Sequence, residues 1–156
     1  MPLLLNDDVE AAHLAEADGV HVGPNDCHPA EARSLLGPNA LLGWSIHNLG
    51  QLADTEALAA CDYLVASPVW VTPTKTDTTP PLGLEGVRAL RAAMPDHLPL
   101  VGIGGITAAN AGEVIRAGAD GVAVVSAIWS APDPAGAARR LRTVVDAALK
   151  ERSQTR

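Results

Sequence analysis

Six short apolar runs, each followed by a longer stretch with helical spacing, limit what this chain can fold into more than any other feature. The runs are P-L-L-L-N (2–6), D-G-V-H-V-G (18–23), A-L-L-G-W-S-I-H (40–47), Y-L-V-A-S-P-V-W (63–70), P-L-V-G-I-G-G-I (99–106) and G-V-A-V-V-S-A-I (121–128). They are too continuously apolar for a sheet with one wet face. Strict strand–helix alternation also demands crossover connections, so a parallel sheet with helices packed against it is predicted. Two architectures satisfy this pattern, a β/α barrel and an open doubly wound sheet.

The connecting stretches carry end signals. Asn48 and Gln51 have capping-box spacing ahead of Q-L-A-D-T-E-A-L-A-A, and Thr107 is placed to cap A-A-N-A-G-E-V-I-R-A. Asp133 and Pro134 supply an N-cap and a first-turn proline for the last helix, and Gly118 follows the penultimate one. A weak repeat marks the junctions: A-D-G-V at 17–20 and again at 119–122, with C-D-Y-L at 61–64 as a looser copy. No linker divides the chain, so residues 1–150 read as one barrel-type domain and 151–156 as a frayed polar tail.

Composition narrows the function. A chain of 156 residues, 47% apolar, suits one globular domain. A net charge of −7 without a dense Lys/Arg block argues against nucleic acid or an anionic membrane as partner. Cys27 and Cys61 lie in no zinc-type or C-x-x-C spacing and read as reduced thiols. With no charged leader and no apolar run of about 18 residues, a soluble cytoplasmic protein is expected.

In parallel α/β folds ligands meet the C-terminal ends of the strands, so those positions are the candidates. The first two runs end in Asn6, Asp7, Asp8 and in Gly23, Pro24, Asn25, Asp26. Carboxylates on adjacent units can share Mg²⁺, which takes one or two of them and keeps positions for phosphate and water. Each of these acids also precedes a helix and could simply cap it. Alternation in the third run puts Gly43, Ser45 and His47 on one face and Trp44 and Ile46 on the other, with His47 open to a structural or an acid–base role.

The fourth run leads into T-P-T-K. Thr72 and Thr74 offer hydroxyls and Lys75 a compact cation suited to phosphate, though a solvated loop would look the same. The whole stretch from Pro68 to Pro81 is long for a connection inside a compact domain. The last two runs end in G-G-I-T and V-S-A-I, and glycine-rich backbone at a helix start is a natural seat for phosphate. His21 alternates with apolar neighbours and reads as structural.

Taken in order, N-D-D-V-E, G-V-H-V-G-x-x-D, G-x-S-x-H, T-P-T-K-x-D, G-I-G-G-I and V-S-A-I resemble the strand ends of the thiamine phosphate synthases across nearly the whole chain. The resemblance implies a TIM (β/α)8-type barrel. It also implies a Mg²⁺-dependent transferase that joins an aminopyrimidine methyl diphosphate to a thiazole phosphate and releases diphosphate. Asp7 and Asp26 would be the metal ligands, and Asn6, Ser45 and Lys75 the contacts of the pyrimidine diphosphate, with Ser45 and Lys75 catalytic. Thr72, Pro73, Thr74, Gly105, Val125 and Ser126 would surround the thiazole phosphate. The implied partners are therefore small phosphorylated molecules.

Pro24 stands where the family usually has glutamine, and Ser67 where it usually has glycine. The family begins with two further β/α units, so the resemblance implies an N-terminally truncated version with about six units, whose two sheet edges are open to self-association. Two other readings accompany it. One is a thiazole tautomerase-like paralogue, against which Asp26 and Lys75 speak. The other is an inactive truncated barrel that only binds thiazole phosphate.

Overall fold

A computed structural model describes residues 1–72 and 79–154. Its strands are β1 (Leu4–Asn6), β2 (Gly19–Val22), β3 (Leu41–Ile46), β4 (Tyr63–Ala66), β5 (Leu100–Ile103) and β6 (Gly121–Ala123). All pairings are parallel and the order is β1-β2-β3-β4-β5-β6, so each apolar run became a strand next to its sequence neighbour. This order decides between the two architectures. A doubly wound sheet reverses its order part-way, whereas sequential strands joined by right-handed crossovers keep every connecting helix on one face. The result is a curled half-barrel with β1 and β6 at its edges.

The helices are α1 (Val9–Leu14), α2 (Pro29–Leu36), α3 (Thr55–Ala60), α4 (Gly83–Ala93), α5 (Ala111–Arg116), α6 (Ser126–Trp129) and α7 (Pro134–Gln154), with a 3₁₀ turn over Leu49–Ala53. Their inner sides meet one face of the sheet. On that face Val20, Val22, Leu42, Ile46, Leu64 and Leu100 are buried to 1% exposure or less, and Trp44 joins the same core at 5%. Fully burying one such aliphatic side chain is worth about 1.5–3 kcal/mol, so this face supplies most of the driving force for the sheet. The alternate residues, including His21, Gly43, Ser45, Tyr63, Val65, Val101 and Ile103, point to the concave side. Strand alternation therefore sends most of the large apolar groups outward and the polar His21 and Ser45 inward, with Trp44 under the helices as its position in β3 predicts.

Local signals were only partly correct. The Asp133 carboxylate accepts a 2.9 Å hydrogen bond from the Gly136 N–H and caps α7 as expected, and Gly118 follows α5 with φ 123°. Asn48 makes no capping bond, and the reciprocal one is lost because the Gln51 side chain is engaged elsewhere: its Oε1 accepts from the His47 N–H (2.8 Å) and its Nε2 donates to the Ser45 carbonyl (3.1 Å). Asp54 caps α3 instead, accepting from the Ala57 N–H at 2.9 Å. Ahead of α5, the Thr107 hydroxyl accepts from Ala109 N–H at 3.3 Å, and Asn110 ties the loop by accepting from Thr107 N–H and donating to the Gly105 carbonyl.

Residues 151–154, expected as part of a frayed tail, belong to α7. Arg152 explains why: it donates to the carbonyls of Ile115 and Ala119 and to the Asp120 carboxylate at 3.1, 2.6 and 2.6 Å. Among the described residues no helix is long and apolar enough to cross a membrane.

The junction repeat has a structural meaning. Its aspartates stand just ahead of β2, β4 and β6, and each carboxylate accepts a backbone N–H from the start of the preceding strand. Asp18 takes Leu3 N–H at 2.7 Å, Asp62 takes Leu42 N–H at 2.7 Å, and Asp120 takes Leu100 N–H at 2.9 Å. Arginines complete two of the three junctions. Arg33 donates to the carbonyls of Gly37, Ala40 and Ala60 and to Asp62, while Arg91 donates to those of Pro95 and Leu98. These bonds lie at the N-terminal ends of the strands, away from the ligand-binding face of a β/α fold, and serve stability.

Removing Arg33 would strip several part-buried carbonyls of their donor at once. Arg33→Met should therefore lower stability by about 2–3 kcal/mol. Arg142→Ala, which removes only an exposed ion pair one helical turn from Asp146, should leave stability nearly unchanged. Urea unfolding of the two variants beside the wild type tests this, and equal midpoints would contradict it.

Candidate active site

At the C-terminal end of the sheet the chain builds two neighbouring regions. The first is a cavity of about 200 Å³ between the ends of β4, β5 and β6. Thr72, Gly105, Val125 and Ser126 line it, so four residues expected around a phosphate are brought together. Pro73, Thr74 and Lys75, the other expected contacts of this loop, lie outside the described residues. Ser67, noted from sequence only as a replacement of the family's usual glycine, also lines the cavity, as do Ile103 and Ala123, which were not singled out although the alternation that placed Ser45 inward places them inward too.

The shape of this cavity depends on two glycines. Gly104 and Gly105 have φ of 98° and 65°, in the left-handed region that favours glycine. A Cβ on Gly104 would sit 2.6 Å from Pro68 Cβ, and one on Gly105 would sit 2.8 Å from both Trp70 Cβ and the Val71 carbonyl oxygen. The turn after β5 thus packs directly on the chain leaving β4, and backbone forms much of the wall. No charged side chain belongs to the described lining. An anion here would meet hydroxyls and backbone N–H groups, including the first N–H groups of α6, which have no partner within the helix.

The second region lies at the ends of β1, β2 and β3. Of the three acids expected either to bind metal or to cap helices, only Asp8 caps one, accepting from the Ala11 N–H at 2.8 Å. Asp7 turns the chain out of β1 with φ 68°, a conformation that aspartate tolerates better than most residues, and its N–H continues the ladder by donating to the His21 carbonyl at 2.8 Å. Asp26 is not the cap of α2, a position held by His28, whose Nδ1 accepts from the Ala30 N–H. The Asp26 Oδ2 accepts from the Gly23 N–H at 2.7 Å and holds the loop closed. Both carboxylates are exposed on adjacent loops. Among the described residues no three His, Cys, Asp or Glu gather as a metal cluster. Two hard oxygen donors fit a cation such as Mg²⁺, which completes its shell with water and phosphate, better than a metal that needs a full protein cage.

Asn6 is exposed at the tip of β1, paired in register with His21 of β2. Ser45 is the sole buried polar side chain among the described residues, 8% exposed, and its Oγ lies 2.9 Å from His21 Nε2. His47 Nδ1 lies 3.1 Å from Thr79 Oγ1, linking the end of β3 to the far side of the Thr72–Thr79 connection. The two thiols take no visible part. Burial pushes the Cys61 thiol up to about 12, and burial together with Glu31 raises that of Cys27, so both stay protonated.

Burial also lowers the His21 imidazole to about 4, opposed only in part by the Asp26 carboxylate. Between that value and the ordinary 6.5 the unfolded chain binds a proton that the folded chain does not, so stability falls as pH falls through this window. The urea midpoint of the wild type should drop between pH 6.5 and about 4 more steeply than that of His21→Gln. Parallel slopes would show that the ring is not held neutral.

The family model for thiamine monophosphate synthase matches residues 1–128. A thiamine-phosphate synthase of Albidiferax ferrireducens is 50% identical over 94% of this chain and 66% of its own length, and one of Chloroflexus aurantiacus is 50% identical over 93% and 65%. This chain therefore spans about two thirds of the length of those relatives. Among solved structures, the thiamine phosphate pyrophosphorylase of Pyrococcus furiosus superposes with a TM-score of 0.79 at 35% identity, covering 94% of this chain and 68% of that one. A 3-hexulose-6-phosphate synthase from Salmonella typhimurium, with TM-score 0.68 and 21% identity, shares the fold. With the family model spanning both candidate regions, the chain belongs to the thiamine monophosphate synthase family.

Proposed function

We propose that the chain is a transferase of thiamine biosynthesis. It would move the 4-amino-2-methylpyrimidine-5-ylmethyl group from its diphosphate to 4-methyl-5-(2-phosphoethyl)thiazole, forming thiamine phosphate and diphosphate. The observation that carries this reading is the pairing of two unlike regions at one end of the sheet. A neutral, backbone-walled cavity with Thr72, Gly105 and Ser126 suits a small phosphate monoester, and two exposed carboxylates, Asp7 and Asp26, stand on the adjacent loops after β1 and β2, at the same end of the sheet as Asn6 and Ser45. The finer architecture belongs to the same proposal: the six strands are part of a TIM (β/α)8-type barrel in which further strands pair with β1 and β6, the edges at which two copies could otherwise associate.

The reaction breaks the bond between the pyrimidine methylene and the diphosphate oxygen and forms one from that carbon to the thiazole nitrogen. The pyrimidine ring carries the developing cation, so no protein nucleophile is required, and catalysis is positioning together with charge stabilisation. Mg²⁺, held by Asp7 and Asp26, would supply neutralisation of the diphosphate. Lys75 would add a positive charge at the same leaving group, and Asn6 and Ser45 would orient the pyrimidine half. Thr72, Pro73, Thr74, Gly105, Val125 and Ser126 would hold the thiazole phosphate. Their neutrality suits a group that must be seated without competing for the metal.

Incubation with both substrates and Mg²⁺ should release diphosphate, and chelation should stop it. Asp26→Ala and Lys75→Ala should each lower kcat/KM by about 100-fold or more, the usual scale for one charged transition-state contact. Ser126→Ala should raise KM for the thiazole phosphate by up to about tenfold with a smaller effect on kcat. A folded wild-type chain that releases no diphosphate would sink the proposal, and binding of thiazole phosphate without release would assign it a binding role instead.

A further inference from the structure

His21, placed by its strand pattern among structural residues, has a geometry that ties it to the pyrimidine half of the site. It occupies one row of the concave face that crosses four strands: Asn6, His21, Gly43 and Tyr63 are in register across β1, β2, β3 and β4. Ser45 stands one step further toward the strand ends on β3, with its Oγ 2.9 Å from His21 Nε2. Twenty-four residues separate the two in sequence. Only the sheet register brings them together.

Two features fix the imidazole in place. The Tyr63 ring stacks on it with centroids 5.7 Å apart and planes inclined by 28°. Gly43, between them in the row, leaves the room they occupy: a Cβ there would lie 2.1 Å from Tyr63 Cζ and 2.5 Å from His21 Nδ1. The Tyr63 ring thus bounds the imidazole on the β4 side. A serine hydroxyl has one proton to donate and two lone pairs to offer. With one of these committed to His21, both the rotation of Oγ and the capacity left for a ligand are set by the imidazole. A buried hydroxyl without such a partner would turn freely and would leave a polar group unsatisfied whenever no ligand is bound.

We propose that His21 is a positioning residue: it orients the Ser45 hydroxyl toward the aminopyrimidine diphosphate, and Gly43 and Tyr63 are the packing that holds it to that task. This rests on the reading of Ser45 as a contact of that substrate. The thiazole phosphate cavity, between the ends of β4, β5 and β6, is formed by strands other than β2 and β3, which carry His21 and Ser45. The effect of His21 is thus confined to one substrate, which separates positioning from a general loss of structure.

The test is steady-state kinetics with the full chain, both substrates and Mg²⁺. His21→Leu should raise KM for the pyrimidine diphosphate by about tenfold, the scale of one neutral hydrogen bond, and leave KM for the thiazole phosphate within about twofold. His21→Gln, whose amide can reach the position of Nε2, should recover most of the loss, and His21→Asn, whose amide is shorter, should not. In a Ser45→Ala background, His21→Leu should have no further effect, because the two residues act as one unit.

Equal increases in both KM values, additive losses with Ser45→Ala, or equal behaviour of the Gln and Asn variants would overturn the proposal. If His21→Leu does not fold, the comparison of Gln with Asn decides alone. A wild type that turns over while these variants match it refutes the role of His21 and leaves the transferase reading intact. A folded wild type that neither turns over nor binds the pyrimidine diphosphate in calorimetry overturns both.

Discussion

Everything in this protein depends on the two-residue period of a parallel strand. Each strand shows one set of side chains to the helices and the other to the concave side, and the sequence assigns the sets opposite chemistries. Val20, Val22, Leu42, Ile46, Leu64 and Leu100 vanish under the helices. Their neighbours His21, Gly43, Ser45, Tyr63 and Ile103 form the inner wall. A slip of one residue in any strand would exchange the two sets and bury the polar groups against helices while exposing the aliphatic ones, at several kcal/mol per strand. The same alternation that stabilises the sheet therefore builds the site.

The two ends of the strands divide the remaining work. At the N-terminal ends, carboxylates at 18, 62 and 120 accept strand N–H groups, and Arg33, Arg91 and Arg152 satisfy helix and loop carbonyls. The bonds are numerous and part-buried, as a load-carrying face requires. At the C-terminal ends, Gly104 and Gly105 take positive φ that glycine adopts freely, while Asp7 takes one that a non-glycine residue rarely adopts. Such conformations persist where surrounding packing over-determines them, and that is common at ligand sites. Backbone atoms at the strand ends are held by side chains of the turn that follows each strand, as Gln51 holds the end of β3 and Asn110 holds the turn after β5.

Much of this was legible in the chain. Strand identity follows from apolar runs of the right length. The inward set in β3 follows from counting by two. The Asp133–Pro134 start of α7 follows from a cap whose partner is three residues away. What failed to be legible turned on which partner a side chain takes, and in two of the three cases that partner is distant in sequence. The capping-box spacing of Asn48 and Gln51 is real, but Gln51 finds better partners on β3. Arg152 looks like part of a polar tail until Asp120 and the end of α5 arrive beside it. The A-D-G-V repeat could be seen as a repeat, yet its role as an acceptor for the preceding strand required the sheet.

The sequence alone determined the elements, their order, the face each strand residue would take, and the family motifs at the strand ends, because all of these are written in short-range spacing. Only the tertiary structure decided that the sheet is sequential rather than doubly wound, and that Asp8 rather than Asp7 or Asp26 serves a helix. It alone brought Thr72, Gly105, Val125 and Ser126 around one cavity and His21 against Ser45. Those outcomes depend on which strands become neighbours and in what register. Pairing of that kind is a property of the whole sheet, fixed by the combined burial of its outer face and readable in no single segment.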